Sequence, residues 1–167
     1  MVKGLSHITF IARDLNRMES ILTTILDARR VYDSGDETFS LSRERFFLVG
    51  GSPGDPDAPA PIWLAIMEGE SLPSRSYNHV AFKIADADYP ALVQRVKALG
   101  LDVRESRPRV PGEGRSIYFH DDDNHLFELH TATLHERLKR YAESAPAVNS
   151  APSINGATPK TKRGHSR

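Results

Sequence analysis

Gly4-Leu5-Ser6-His7-Ile8-Thr9-Phe10-Ile11 returns later in the chain as Ser76-Tyr77-Asn78-His79-Val80-Ala81-Phe82-Lys83-Ile84. Each copy is a short alternating run with a histidine near its start, the period-2 pattern of a half-buried strand. Each leads into a stretch with helical spacing. After the first copy these residues are Met18, Ile21, Leu22, Ile25 and Leu26; after the second, Tyr89, Leu92, Val93, Val96 and Leu99. Asn16 followed by Glu19 has capping-box spacing, Asp86 or Asp88 can cap the second helix, and Gly100 can end it. Strand-like segments follow around 30–33, 37–42, 45–49 and 62–67, and again around 102–105, 115–120 and 126–130. The pattern predicts strand, helix, then three strands, used twice: an α+β fold of paired βαβββ modules over about 3–70 and 76–131. Thr133-Leu134-His135-Glu136 is a capping box for a short helix to about Tyr141, and the folded domain is expected to span 1–143.

Length and composition bound the function. At 167 residues the chain is long enough for one domain, or for two small modules sharing a core. Lysine plus arginine (22) balances aspartate plus glutamate (22), so no positive field gathers nucleic acid or an acidic membrane. No window approaches the roughly 18 consecutive apolar residues of a membrane span. The N-terminal stretch lacks the apolar run of a signal peptide, and a soluble cytoplasmic protein is expected. With no cysteine there is neither a disulfide nor a thiolate ligand, nor a cysteine nucleophile. Two segments fall outside the repeat. Residues 51–61 are rich in glycine, proline and aspartate and read as a surface loop rather than a flap. From 144 to 167 the chain is mostly Ala, Pro, Ser, Asn and Thr with a basic end, the composition of a disordered tail.

Strand alternation decides which side chains can meet. His7, Thr9 and Ile11 share one face, and His79 lies opposite Val80 and Phe82. Leu126, Glu128 and His130 share a face, as do Ser116, Tyr118 and His120, with the turn Asp121-Asp122-Asp123-Asn124 between them. If the apolar faces pack on helices, the polar faces line a cup holding two histidines and a carboxylate. That donor set suits a divalent first-row ion with positions open to substrate or water. His130 stands beside Glu128 as a rival ligand. His120, His125 and His135 recur at five-residue steps, which match neither strand nor helix. A lone strand histidine is ordinarily a packed or solvated residue; the equivalent placement of His7 and His79 favours the metal.

These residues resemble a known family. The paired openings, His125-Leu126-Phe127-Glu128-Leu129-His130, Gly112-Glu113-Gly114-Arg115-Ser116-Ile117-Tyr118-Phe119 and Thr133-Leu134-His135-Glu136-Arg137-Leu138 are similar to the vicinal oxygen chelate superfamily, and within it to fosfomycin resistance proteins. Ser34-Gly35-Asp36-Glu37-Thr38-Phe39-Ser40-Leu41-Ser42-Arg43-Glu44 resembles their epoxide hydrolase branch, the FosX type. The resemblance runs over about residues 3–142. It implies a cup-shaped mixed sheet in a manganese-dependent homodimer with modules paired across subunits. His7 would come from one chain, and His79 with Glu128 from the other. It also implies the substrate, a small phosphonate epoxide, and the reaction, addition of water to give a vicinal diol. Glu44 falls where this branch carries its general base.

The implied chemistry is coherent. A divalent metal polarises the epoxide, Glu44 takes a proton from the attacking water, and the Thr9 hydroxyl donates to the nascent alkoxide. Arg137 and Arg109, with the hydroxyls of Ser116 and Tyr118, are the expected phosphonate clamp. Arg107 competes with Arg109 for this place, Arg115 points to the other face, and Tyr77 and Trp63 can close the apolar side. Glu44 in Ser-Arg-Glu-Arg also reads as an ordinary solvated strand edge. The nearest rival activity is a thiol transferase opening the same epoxide. More distant ones are an extradiol dioxygenase holding ferrous iron and a drug-binding module without catalysis.

Overall fold

The computed structural model describes residues 1–38, 41–51, 59–104 and 113–144. The duplicated pattern becomes two equivalent four-stranded sheets. In the first, β1 (His7–Ala12), β2 (Arg29–Asp33), β3 (Glu44–Val49) and β4 (Ile62–Glu68) are arranged β1-β4-β3-β2. In the second, β5 (His79–Lys83), β6 (Val103–Arg104), β7 (Ser116–His120) and β8 (Leu126–His130) run β5-β8-β7-β6. In both, the opening strand lies parallel to the last and the rest are antiparallel. Two copies of one order, each mixed, are what a duplicated βαβββ unit builds.

The helices cover one face of each sheet. Helix α1 (Leu15–Leu26) buries Leu15, Met18, Ile21, Leu22 and Ile25, a stripe at three- and four-residue steps. Helix α2 (Tyr89–Ala98) buries Leu92 and Val96. Phe10, Phe82, Phe119 and Phe127 project from both sheets into the same core, where Phe10 and Phe127 lie 5.1 Å apart and Phe119 stacks on Phe127 at 5.3 Å. Each buried phenylalanine contributes about 1.5–3 kcal/mol over its exposed state. Because this core lies on the apolar faces, the histidine-bearing faces of both sheets point away from it.

Local details depart from expectation in three places. The cap of α1 is Asp14, whose Oδ1 accepts from the backbone N–H groups of Asn16 (2.8 Å) and Arg17 (3.0 Å). Starting the helix there buries Leu15. Asn16 instead accepts from Arg45, and Glu19 pairs with Arg30 and Arg45. Neither Asp86 nor Asp88 caps α2 through its side chain; a 3-10 turn over Asp86–Asp88 and Pro90 lead in, and Asp86 pairs with Arg115. The stretch 37–42 is not a strand at its described positions. Asp33 accepts from the Gly35 N–H, and Gly35 adopts φ 63, so the chain turns before it can extend. The capping box of α3 (Leu134–Ser144) forms as expected, with reciprocal Thr133 and Glu136 bonds. Most of the 51–61 loop and residues 145–167 lie outside the described residues. Among the described residues no helix is long and apolar enough to cross a membrane.

The acidic turn between β7 and β8 staples the modules together. Asp123 is buried and accepts from Arg13 at 2.9 Å and from Ser71, while Asp122 pairs with Arg17 at 2.6 Å. Burial pushes the Asp123 carboxyl up, but the Ser71 and Arg13 hydrogen bonds outweigh it and hold it below the usual carboxylate range. The stability this group contributes is therefore present at neutral pH and drains as pH falls through its lowered folded-state value. Replacing Asp123 by Asn is expected to cost about 1–2 kcal/mol at neutral pH, because the charge-assisted bonds are lost while the amide still fits. Denaturant titrations should show the gap between D123N and the parent closing as pH falls below about 4. A gap constant with pH would contradict the assignment.

Candidate metal centre

The registers place the expected residues on defined faces. Across the first sheet His7 sits level with Trp63 and Leu48, Thr9 with Ala65 and Phe46, and Ile11 with Met67 and Glu44. Residues level across neighbouring strands share a face, so His7, Thr9 and Glu44 stand on one surface. About 10 Å, two strand spacings, separates β1 from β3, and β4 floors the gap with Ala65. Across the second sheet His79 is level with Leu126 and His120, Ala81 with Glu128 and Tyr118, and Lys83 with His130 and Ser116. The two sheets thus differ in a specific way. Where the second carries Glu128, His130 and Ser116, the first carries Ala65, Met67 and Glu44.

His79 and Glu128 meet. The His79 Nε2 lies 2.9 Å from Glu128 Oε2. On the other side of the ring, Nδ1 is 2.7 Å from the Tyr77 carbonyl, which can only accept, so Nδ1 carries the proton. The carbonyl thus orients the ring so that Nε2 faces the carboxylate oxygen. An imidazole oriented by a backbone carbonyl, with its other nitrogen against a carboxylate, is an arrangement that could hold a metal. His7 is exposed on β1, with Ser6 Oγ 3.1 Å from its Nδ1 and the Trp63 ring at 4.4 Å. Among the described residues of one chain, no three His, Asp or Glu side chains converge to hold a metal.

Glu128 is 5% exposed in an otherwise apolar strand. Burial pushes its carboxyl up, yet hydrogen bonds from Ser116 and Tyr118, with the His130 and His79 imidazoles, hold it below the usual range. It is therefore a carboxylate, as a cation requires. Ser116, expected on the phosphonate, is itself buried and gives its hydroxyl to Glu128 Oε1, with His130 Nδ1 at 2.8 Å. Tyr118 is buried beside it, its hydroxyl 3.4 Å from that of Tyr77. Arg137, on α3, reaches His130 Nε2 at 3.4 Å. Arg115 points away, pairing with Asp86 and lying over the Tyr89 ring at 4.2 Å. Arg107 and Arg109 lie outside the described residues. Sequence reasoning missed the fixing of His79 by its neighbour's carbonyl and the engagement of His130 with Ser116. Folding the chain back about the Asp121–Asn124 turn would have paired Ser116 with His130.

Glu44 and Thr9 are the contrasting case. The Glu44 backbone bonds to Ser34 on both sides, its N–H donating to Ser34 Oγ at 3.0 Å, but its carboxylate has no partner among the described residues. The flanking Arg43 and Arg45 are both engaged elsewhere, with Glu68 and with Glu19 and Asp33. The Thr9 hydroxyl is likewise unpaired among the described residues. A carboxylate and a hydroxyl thus stand without partners among the described residues on the face that carries His7.

The sequence profile of the Glyoxalase/Bleomycin resistance protein/Dioxygenase superfamily matches residues 4–129. The chain belongs to that superfamily, in its FosX branch. It is 60% identical over 148 residues to fosfomycin resistance protein FosX of Mesorhizobium japonicum, covering 89% of this chain and 99% of that protein. It resembles the crystal structure of a Glu-to-Gln variant of FosX from Listeria monocytogenes complexed with Mn(II) and 1S,2S-dihydroxypropylphosphonic acid. There the TM-score is 0.72 and the identity 49%, over 84% of this chain and 99% of that one. The metallothiol transferase FosB of Staphylococcus saprophyticus is more distant, 31% identical over 150 residues, 87% of this chain and 88% of that protein.

Proposed function

We propose that this chain is a Mn(II)-dependent hydrolase that adds water to the epoxide of fosfomycin, giving a vicinal diol phosphonate and antibiotic resistance. The observation that carries the reading is the Glu44 carboxylate, without a partner among the described residues and on the same face as His7 and Thr9, in a chain of the FosX branch. The dihydroxypropylphosphonate bound by the Listeria relative is what water addition to a propyl epoxide phosphonate yields. His7, His79 and Glu128 are the proposed ligands. Since His7 stands on a different sheet from the other two, and both ligand faces point out of the shared core, the set is completed by a second copy of the chain. Leu134, Leu138 and Tyr141, exposed along one side of α3, are apolar surface available to such a homodimer.

The bound cation supplies electrophilic polarisation of the epoxide and a counter-charge for its phosphonate. Glu44 removes a proton from the water that attacks ring carbon, a contribution of roughly 10²–10⁴-fold for a well-placed base. The Thr9 hydroxyl donates a hydrogen bond to the oxygen freed by ring opening. The Arg137 guanidinium, at the rim beside His130, supplies positive charge for the phosphonate, with Arg109 as its proposed companion and Tyr118 closing the wall. Thiol transfer is the reading to separate from this one, since the FosB relatives share the fold. Protein, Mn(II) and fosfomycin incubated without any thiol should yield the diol, and chelation should stop it. Product that appears only when a thiol is added would overturn hydrolysis in favour of transfer.

A further inference from the structure

We propose that His130 is a positioning residue for the metal centre: acting through Ser116, it fixes which oxygen of Glu128 faces the cation. This rests on Glu128 and His79 being ligands, as proposed above. The two Glu128 oxygens have separate surroundings. Oε2 faces His79 Nε2 at 2.9 Å, while Oε1 takes the Ser116 hydroxyl and lies 3.4 Å from His130 Nδ1. The donor order along this chain is set from its far end. Arginine has only donors, so at the 3.4 Å contact Arg137 Nη2 donates and His130 Nε2 accepts. His130 then carries its proton on Nδ1, which donates to Ser116 Oγ at 2.8 Å, leaving the serine O–H to donate to Glu128 Oε1. Every link points toward the carboxylate. A ligand carboxylate held in this way turns one oxygen outward and cannot rotate to bring both into the metal's shell.

The repeat argues that these residues work as a set. Ser116 and His130 are directly opposite each other on β7 and β8, with Glu128 one level further on the same face. At the corresponding positions of the first sheet, Glu44 faces Met67 and the carboxylate position is Ala65. The half that gained the ligand also carries its two supporting groups. His79, Glu128 and His130 do not by themselves form a three-residue metal-holding cluster among the described residues.

Packing and hydrogen bonding by His130 are separable by paired substitutions. His130→Phe keeps the ring and loses the donor; His130→Asn loses the ring and keeps a donor near the Nδ1 position. Mn(II) affinity, measured by titration calorimetry on the full-length protein, should fall about 10–100-fold in H130F and largely return in H130N. Ser116→Ala should weaken Mn(II) as H130F does, and the S116A/H130F pair should be no worse than S116A alone, because His130 acts on Glu128 through the serine. Melting curves of the metal-free proteins identify any variant that merely fails to fold. The proposal is overturned if H130F binds Mn(II) like the parent, if H130N is weaker than H130F, or if the two losses add. A parent that takes up no Mn(II) at all would bring down the ligand assignment, and this proposal with it.

Discussion

Glu44→Gln should lower diol formation about 10²–10⁴-fold while leaving Mn(II) affinity where it was. The amide matches the carboxylate in size and can still orient a water through its oxygen, but it cannot accept the proton that water must lose. Metal binding is untouched because Glu44 is not among the proposed ligands and its carboxylate contacts none of them. Its side chain has no partner among the described residues, so the swap orphans nothing and stability should hold. The diagnostic pattern is a fall in kcat at nearly constant KM and constant metal affinity. Product formed by E44Q at the parent rate would remove Glu44 from the mechanism and leave a metal site without its base.

Glu128→Gln, unlike Glu44→Gln, should abolish the response to the metal and also lower the stability of the metal-free protein. Glu128 is a buried charge whose desolvation is outweighed by the hydrogen bonds and imidazoles beside it, so the charged form stabilises the fold at neutral pH. The glutamine retains an oxygen for Ser116 and sheds the charge. Metal-free E128Q should therefore melt below the parent at neutral pH, with the gap closing as pH falls below about 4. Mn(II) should no longer raise its melting temperature, whereas a parent at a hundredfold excess over its dissociation constant gains about 2.7 kcal/mol. Diol formation should drop to background. An E128Q protein whose melting temperature still rises with Mn(II) as the parent's does would identify Glu128 as a structural residue.

Much of this was legible before any coordinates. A repeat of Ser-His-Ile and Asn-His-Val within alternating runs contained the two-sheet architecture, because alternation fixes faces and the helical stripes fix what covers them. His7 with Thr9, and His79 near Glu128, followed from that logic. What sequence could not supply was register and competition. Asn16 and Glu19 have the spacing of a cap, but Asp14 wins since helix entry there buries Leu15. The run 37–42 alternates like a strand, yet the Asx turn at Asp33–Gly35 comes first. Asp123 was read only as turn material, and its bond to Arg13 spans 110 positions. His130 looked like a spare ligand because its partner Ser116 is adjacent only once the hairpin is folded. The unequal chemistry of the two halves, with Ala65 standing where Glu128 stands, likewise appears only when the sheets are superposed by register.

That inequality makes the central claim directly measurable: one cation is shared by His7 of one copy and by His79 and Glu128 of another. His7→Ala and His79→Ala should each be inactive alone. Co-refolded in equal amounts they form mixed dimers in which one site keeps all three ligands, so about a quarter of the parent's diol-forming activity should return, with Mn(II) bound in proportion. If mixing restores nothing although mixed dimers form, the three ligands do not come together across two copies, and the proposed centre is wrong.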